Sequence, residues 1–431
     1  MEKIKIISPH KPIMGTVEIG GSKSFTNRAL IMASLAQGKS TLTSISISDD
    51  SKVLMSALSR LGITITPINE TSIEIIGNGG KFKSQNIAID VGHAGTAMRF
   101  LTALCCLVPG EIILDGSERM RERPLGDLLN ALRSLGADII CTNKEGFASL
   151  LIRGGKINKS TVSMSGKVSS QFITALLLIA PVLKEGLEIQ ITDEQISKSY
   201  IEMTLASLQS FGVHIVNDDF KKYTVSKFEK LSGTQYQVEG DASGASYLLA
   251  LAAISGGTVT VKNINPQSSQ GDARFSDLLE RMGCHVVKDA IAKTITVTGP
   301  QALNSISVDM SLMPDTAQTL AVVAAFVHGV TTISGLSTLR VKETNRLQAT
   351  KSELKKIGIG STITDDSITI HGDKPHGATI KTYKDHRMAL AFSVVGSVVE
   401  GIKIEEPDVV NKSFPDFWKK IESLGIAIKK L

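Results

Sequence analysis

The sequence predicts an α/β protein in which one structural unit occurs six times, grouped into closed domains of three units each. A polar helix start, followed by an apolar run and a glycine, recurs at residues 24, 96, 169, 243, 315 and 385. Successive starts are separated by 72, 73, 74, 72 and 70 residues. This period is longer than the roughly 20–50 residues of an open solenoid repeat, so closed domains are favoured.

The first helix of each unit is apolar nearly all round, which predicts that it is buried. Its expected ranges are 28–37, 97–109, 170–185, 244–255, 316–328 and 386–400. The second helix has a polar face, as in 127–133, and is expected to lie outside. It is expected to end at a glycine in every unit, namely Gly62, Gly136, Gly212, Gly283, Gly358 and Gly425. With the short β-rich runs, each unit reads helix–strand–loop–helix–strand–strand.

Composition limits the class of protein. The 431 residues are 42% hydrophobic and 21% charged, with a formal net charge of +5, which is typical of a globular protein. Aromatic residues make up only 4%, and no Lys/Arg-rich block occurs, so nucleic acid is not an expected partner. The apolar runs are interrupted by Gly, Ser or His, so no membrane span is expected.

The four cysteines are Cys105, Cys106, Cys141 and Cys284. No pair has the spacing of zinc ligands, so we expect reduced thiols and no metal. The N-terminal residues 1–5 lack the apolar core of a signal peptide. Together these features predict a cytoplasmic protein.

The stretch Gly21–Arg28 joins an extended segment to the first buried helix. Its glycine and serines, with Lys23 and Arg28 and the free N–H groups of a helix start, are typical of an anion site. A simple helix cap with two solvated cations is the alternative. Six equivalent helix starts can point their positive ends the same way, and two domains presenting them to each other predict a gap that binds polyanions.

Further loops carry charged or small residues. The stretch 92–99 is a small-residue turn in which a phosphate can approach the backbone. In 118–124, Arg123 is the favoured anion ligand, whereas Arg119 and Arg121 are expected to be solvated. In 340–346, Glu343 lies between cations that can hold it for proton transfer, or it takes part in ordinary helix-surface pairs. The carboxylate Asp315 opens a buried helix, as a cap or as a catalytic group.

These stretches together resemble the 5-enolpyruvylshikimate-3-phosphate synthase family over essentially the whole chain. The resemblance rests on Gly21–Ser24 with Asn27-Arg28, 94–99, 121–124, 169–172, 341–344, 385–389 and 412–415. It implies transfer of the enolpyruvyl group of phosphoenolpyruvate to the 5-hydroxyl of shikimate 3-phosphate, with release of phosphate. The family uses no metal and no cofactor, and we expect none. We also expect a monomer.

The resemblance implies an α/β (α+β) fold of two similar domains, each of three βαβαββ repeats with buried parallel helices, like an inverse α/β barrel. Residues 22–239 form one domain, and residues 1–21 with 240–431 form the other. The chain is expected to cross near 20–22 and 239–241. The active site is expected in the cleft between the domains, which the family closes on its substrates.

The resemblance also assigns roles to residues. Three are expected to be catalytic: Asp315 as base at the 5-hydroxyl, Glu343 as proton donor to the methylene carbon, and Lys23. Shikimate 3-phosphate is expected to contact Lys23, Ser24, Arg28, Ser169, Ser170, Gln171, Ser197, Tyr200, Asp315 and Lys342. Phosphoenolpyruvate is expected to contact Lys23, Gly95, Arg123, Gln171, Arg346, Arg387 and Lys412.

Two other functions are alternatives. A sister enolpyruvyl transferase acts on UDP-N-acetylglucosamine and typically has a reactive cysteine in the loop after the second buried helix, but 116–123 contains none. A repeat protein that only binds anions leaves Asp315 and Glu343 among the cations unexplained. The chain departs from the family pattern at His93, where Asn is usual, and at Asn345, where Asp is common.

Overall fold

The computed structural model describes residues 2–8 and 11–431. The chain divides into two compact units, which are not to be confused with the six sequence repeats. The first unit is Gly21–Val238, and the second is Met1–Gly20 together with Glu239–Leu431. Each unit has its own hydrophobic core.

Thirteen α-helices lie in the described residues. In chain order they are α1 (Lys23–Leu35), α2 (Asp49–Arg60), α3 (Gly95–Cys105), α4 (Glu118–Arg121), α5 (Gly126–Ser134), α6 (Ser170–Ile179), α7 (Lys198–Ser210), α8 (Ala242–Ser255), α9 (Phe275–Arg281), α10 (Ala317–Ala324), α11 (Arg346–Lys356), α12 (His386–Gly396) and α13 (Phe417–Ser423).

The strands of residues 2–8 and 11–431 are short. They are β1 (Lys3–Ile7), β2 (Met14–Glu18), β3 (Gln37–Thr43), β4 (Thr64–Asn69), β5 (Ser72–Asn78), β6 (Gln85–Asp90), β7 (Gly110–Asp115), β8 (Asp138–Cys141), β9 (Leu150–Gly154), β10 (Thr161–Met164), β11 (Leu187–Ile191), β12 (Ile215–Asp218), β13 (Lys222–Val225), β14 (Gln235–Gln237), β15 (Thr258–Lys262), β16 (His285–Asp289), β17 (Thr294–Thr298), β18 (Ser307–Asp309), β19 (Gly329–Ser334), β20 (Gly360–Ile363), β21 (Ile368–Gly372), β22 (Thr379–Ile380), β23 (Lys403–Glu405) and β24 (Ala427–Lys430).

These strands form six four-stranded sheets in the part of the chain that the structure describes, and all six share one topology. The order β6-β7-β9-β8 illustrates it: the strand before a buried helix pairs in parallel with the strand after it, and two antiparallel strands follow. Four sheets are built from consecutive segments in this way, counting β1 as the return of the last one. In the other two sheets, the parallel partner comes from a distant part of the sequence: β14 pairs with β3, and β2 pairs with β15.

The helices α1, α3, α6, α8, α10 and α12 are buried along nearly their whole length, as their apolar sequences predict. Their expected ends are wrong in five of the six. Helix α1 begins at Lys23 and ends at Leu35, and α6 ends at Ile179 before a 3₁₀ turn, Ala180–Val182. Helices α3, α10 and α12 end at Cys105, Ala324 and Gly396.

The physical reason is that burial continues beyond the helix. After α3 the amide of Val108 donates to the carbonyl of Cys105, three residues back, and after α10 Val327 donates to Ala324 in the same way. These tighter turns keep apolar side chains in the core, so hydrophobicity does not mark where the α-helix stops.

The glycine stops of the second helices are confirmed. Their φ angles lie between +82° and +103°, a range that favours glycine, at Gly62, Gly136, Gly212, Gly283, Gly358 and Gly425. Each of these glycines follows the C-cap of its helix. The stop therefore follows from local backbone geometry, and the sequence alone locates it.

Candidate active site

In the first unit, the stretch that opens α1 is fixed by close backbone packing. A Cβ at Gly21 would lie 1.7 Å from the carbonyl oxygen of Ser44, so only glycine fits. Ser22 caps the helix by accepting a hydrogen bond from the amide of Phe25 at 3.4 Å. Lys23 follows, and its Nζ lies 3.0 Å from Oδ2 of Asp50 on α2. The sequence gives no sign of Asp50 as a partner, because nothing local pairs it with a lysine 27 residues away.

Arg28 is enclosed within the first unit, with 2% of its surface exposed. Its Nε donates to Thr204 Oγ1 at 2.9 Å, and its two Nη atoms donate to the carbonyls of Ser24 and Tyr200, also at 2.9 Å. Burial lowers the pKa of Arg28 to about 10, which leaves it charged at neutral pH. The guanidinium has five N–H groups, and three of them donate to these protein atoms. Arg28 of α1 is therefore hydrogen-bonded to α7.

Arg123 lies against the start of α3 and is 7% exposed. A Cβ at Gly95 would lie 2.4 Å from Nη1 of Arg123, so the absence of a side chain at residue 95 makes room for the guanidinium. Arg99 connects the same two segments, since it donates to the carbonyl of Gly95 at 3.1 Å and to that of Pro124 at 3.4 Å. Gly95 and Arg123, predicted from separate motifs, are therefore direct neighbours.

The start of α6 joins this group. Ser169 caps the helix by accepting from the amide of Gln171 at 3.3 Å, and Gln171 Nε2 donates to Thr96 Oγ1 at 3.3 Å. Helices α1, α3 and α6 all pack on one another. Ser197 precedes α7 with a φ of +52°, and Tyr200 lies in the first turn of that helix, half buried.

Residues 118–121 form α4 rather than a loop, but Arg119 and Arg121 are exposed to solvent as predicted. Arg121 pairs with Asp115 at 2.6 Å and Arg119 pairs with Glu122 at 2.7 Å, and all four side chains are partly or largely exposed. His93, one of the departures from the family pattern, lies 2.9 Å from Ser117 Oγ through its Nδ1. It therefore links the turn before α3 to the start of α4.

In the second unit, the predicted residues surround Arg346, whose side chain is 2% exposed. Its Nε donates to Asp385 Oδ2 at 2.8 Å. Its Nη1 donates to Asp315 Oδ1 at 3.1 Å, and its Nη2 donates to Glu343 Oε2 at 2.8 Å. One guanidinium therefore joins the starts of α11 and α12 and the 3₁₀ turn Pro314–Thr316 before α10.

Three further cations contact the same carboxylates. Arg387 donates to Asp315 Oδ2 at 2.8 Å and to the hydroxyl of Tyr247 at 3.2 Å. Lys342 Nζ lies 3.6 Å from Asp315, and Lys412 Nζ lies 3.6 Å from Glu343. We call the set of Asp315, Lys342, Glu343, Arg346, Asp385, Arg387 and Lys412 the Arg346 cluster.

The charges of the Arg346 cluster control Asp315. Burial acts to raise its pKa, but Arg387, Lys342 and Arg346 outweigh burial and hold the pKa of Asp315 well below its usual 3.8. Asp315 is therefore ionised at neutral pH. Asp315 is not the N-cap of α10, which is Thr316, and its carboxylate contacts three cations.

Asp385 has two functions. It caps α12 by accepting from the amide of Arg387 at 2.9 Å, and it holds Arg346 from the opposite side. Asn345, the second departure, caps α11 by accepting from the amide of Gln348 at 3.2 Å. From the sequence, Asp385 is recognisable only as a helix start, and Tyr247 has no recognisable role.

The structure thus places the predicted residues in two groups, one in each unit. The group of the first unit is Lys23, Ser24, Arg28, Gly95, Arg123, Ser169, Ser170, Gln171, Ser197 and Tyr200. The group of the second unit comprises the predicted members of the Arg346 cluster. Among residues 2–8 and 11–431 no three His, Cys, Asp or Glu side chains are placed to hold a metal ion, and no described helix is long and apolar enough to cross a membrane.

The fold and these groups define a class: a protein of six similar repeats with cations and polar side chains at the starts of its buried helices. Residues 7–421 match the family model described as EPSP synthase (3-phosphoshikimate 1-carboxyvinyltransferase). The chain belongs to this family.

Similar proteins cover the chain almost completely. A 3-phosphoshikimate 1-carboxyvinyltransferase of Shewanella woodyi is 41% identical over 99% of this chain and 100% of that protein. One from Escherichia coli O17:K52:H18 is 42% identical over 97% of this chain and 98% of that protein. The solved structure of EPSP synthase from Acinetobacter baumannii matches with a TM-score of 0.84 and 26% identity over the whole of both chains. The predicted fold class is confirmed.

Proposed function

We propose that this chain is a 3-phosphoshikimate 1-carboxyvinyltransferase. It transfers the enolpyruvyl group of phosphoenolpyruvate to the 5-hydroxyl of shikimate 3-phosphate and releases phosphate, a step of aromatic amino-acid biosynthesis. Family membership supports the reaction. The observation that carries it to named residues is the Arg346 cluster, in which two carboxylates suited to proton transfer, Asp315 and Glu343, are each held by cations suited to phosphate and carboxylate groups.

Two sets of cations are proposed as ligands of phosphoenolpyruvate, one in each unit. In the second unit, Arg346, Arg387 and Lys412 supply positive charge beside the reacting carboxylates. In the first unit, Arg123 lies against Gly95, where a helix start adds backbone N–H groups. The remaining ligands proposed are Lys23 and Gln171. Support comes from the charge of the cations and from the burial of Arg123, Arg346, Arg387 and Lys412, which strengthens each contact to an anion.

Shikimate 3-phosphate is bound by hydroxyls and cations. The proposed ligands in the first unit are Lys23, Ser24, Arg28, Ser169, Ser170, Gln171, Ser197 and Tyr200, and those in the second unit are Asp315 and Lys342. The packing of α1, α6 and α7 on one another supports the first set, because Arg28 of α1 contacts Thr204 of α7, which in turn contacts Thr174 of α6. Serine hydroxyls and backbone N–H groups at helix starts are suited to a phosphate.

Proton transfer is assigned to the carboxylates. Asp315, ionised at neutral pH, accepts the proton of the 5-hydroxyl as that oxygen attacks C2 of phosphoenolpyruvate. Glu343 delivers a proton to the methylene carbon, which gives a tetrahedral intermediate. In the elimination, the Glu343 carboxylate takes a proton back from the new methyl group while the C–O bond to phosphate breaks, which restores the enol ether and releases phosphate. Lys23, held by Asp50, is the third catalytic residue proposed.

The decisive experiment measures phosphate release from phosphoenolpyruvate. Release with shikimate 3-phosphate and none with UDP-N-acetylglucosamine is expected. The reverse result would identify the sister transferase, which the comparisons do not favour. No release with either acceptor, while both substrates still bind, would identify a protein that only binds anions.

The role of Asp315 has its own test. Replacing Asp315 by Asn keeps the shape of the side chain and removes the base. We expect kcat to fall by about 10²–10⁴-fold with a smaller change in KM, because a general base acts mainly in the transition state. Unchanged turnover would remove Asp315 from the mechanism.

We further propose that the enzyme acts as a monomer in the cytoplasm. All the proposed ligands come from one chain, and the four cysteines are free thiols, three of them buried. Light scattering on the purified protein tests the first statement, and a stable dimer with shared activity would contradict it. Fractionation of cells tests the second.

A further inference from the structure

Asp272 is a buried carboxylate next to the Arg346 cluster that the proposed reaction does not use. It lies in the 3₁₀ turn Gly271–Arg274, and the residue is 6% exposed. Its Oδ2 accepts a hydrogen bond from the hydroxyl of Ser243 at the start of α8. Its Oδ1 is buried and has no hydrogen-bond partner among the described residues. A buried ionised oxygen without a donor is costly, so this carboxyl has a reason to bind a proton.

The surroundings of Asp272 strengthen this tendency. Its turn packs against α8 and against the 3₁₀ turn that carries Asp315. Burial and the negative charge of Asp315 raise the pKa of Asp272 to about 7, while Arg387 and the hydrogen bond from Ser243 act to lower it. The nearby helix cap Asp241 adds a further negative charge. Asp272 therefore changes its charge near neutral pH.

Arg387 is the connection to substrate. It is the one cation among these neighbours that stabilises ionised Asp272, and it already holds Asp315 at 2.8 Å. A phosphate or carboxylate bound to Arg387 would offset its positive charge. With that charge offset, both carboxylates and the bound anion repel one another, and the least costly relief is a proton on Asp272.

We infer that Asp272 is a positioning residue that couples the binding of an anion at Arg387 to the uptake of a proton on its own carboxyl group. The step forms one O–H bond on Asp272, with the proton taken from solvent, and breaks no other covalent bond. This inference rests on the proposed function, since it assigns Arg387 to phosphoenolpyruvate. It adds a residue that touches no substrate and adjusts the charge of the cluster that does.

The test is the pH profile of kcat/KM for phosphoenolpyruvate at saturating shikimate 3-phosphate. In the wild type, kcat/KM falls by about tenfold between about pH 6 and about pH 8, because the protonated fraction of Asp272 falls by that factor around its pKa of about 7. Asp272→Asn, which is neutral at every pH, loses this decrease. The matched control Asp373→Asn, at an exposed aspartate of the same unit, keeps it.

A second variant keeps the carboxyl and protects the inference against a folding defect. Ser243→Ala removes the hydrogen bond that favours the ionised form, so the decrease moves to higher pH. Ionisation of the substrate is common to all variants and cancels in the comparison. A decrease that is the same in the wild type and in Asp272→Asn, or that does not move in Ser243→Ala, overturns the inference.

The two proposals fail separately. Phosphate release by the wild type at about pH 6 tests the proposed function, whatever the slope above it. If the wild type releases no phosphate, the inference is tested by calorimetry with inorganic phosphate in buffers of different ionisation enthalpy. Proton uptake that is present in the wild type and absent in Asp272→Asn supports it, and equal uptake overturns it.

Discussion

The contact between Gly95 and Arg123 allows the effect of one added methyl group to be worked out. In Gly95→Ala the new Cβ would lie 2.4 Å from Nη1 and 3.0 Å from Cζ of Arg123. An ordinary non-bonded contact is about 3.5 Å, so the guanidinium must move by about 1 Å. Gly95 is the first residue of a buried helix, so the backbone has less freedom to give way than the arginine side chain.

A shift of this size is large for an anion ligand. A misplacement of about 1 Å can cost about 10²-fold in rate, and a hydrogen bond to a charged group is worth about 1.5–3 kcal/mol. We therefore expect kcat/KM for phosphoenolpyruvate to fall by about 10–100-fold. The loss should appear mainly in KM, because Arg123 is proposed to hold the substrate equally in its ground and transition states.

The assay is steady-state phosphate release with phosphoenolpyruvate varied. The matched control is Gly126→Ala, since Gly126 is also the first residue of a helix in the first unit but the nearest atom to a new Cβ is 3.8 Å away. In an Arg123→Met background, Gly95→Ala should add little further loss. Equal losses in the two glycine variants, or full additivity with Arg123→Met, would refute the reasoning.

Three other predictions concern stability and position. Arg28→Ala should lower the free energy of unfolding by about 2–4 kcal/mol in urea titrations, because Thr204 and two carbonyls lose a charged donor; a loss below about 0.5 kcal/mol would contradict this. Tyr383, in the segment before α12, has a φ of +56°, and its hydroxyl donates a 2.7 Å hydrogen bond to buried Glu353. Tyr383→Phe removes this bond, so it should lower the free energy of unfolding by about 1 kcal/mol and lower turnover, and an unchanged stability and turnover would contradict it. The folded-state pKa of Asp315 lies well below 3.8, so the contribution of Asp315 to stability is present above its unfolded-state pKa and is lost as pH falls below about 4. Urea unfolding of the wild type should show this loss of stability, and Asp315→Asn should show less of it. Parallel curves of unfolding free energy against pH for the two proteins would refute the assignment.

The regular features of this fold were readable from the sequence because each depends on nearby residues. The repeat, which occurs six times, locates six buried helices, because an apolar helix must be covered wherever it occurs. Each of the six second helices ends where a glycine adopts a left-handed φ directly after the C-cap residue, so the stop depends on that glycine alone. The ends of the buried helices cannot be located from hydrophobicity, because apolar residues continue past the α-helix into tighter turns such as the one ending at Val108.

The residue types of the candidate site were also present in the motifs, but their partners were not. Lys23 is held by Asp50, and Arg346 by Asp385, which is 39 residues further along the chain. Only the tertiary structure brings such pairs within hydrogen-bond distance, because the contact depends on how separate helices pack.

The sequence by itself determined the repeat, the buried helices with their charged starts, and the family to which the motifs point. Tertiary packing decided which carboxylate holds which cation, and therefore that Asp315 is ionised and that Asp272, absent from every motif, is placed to bind a proton. The reason is that an ionisable group responds to charges and solvent within a few ångströms, whatever their separation along the chain.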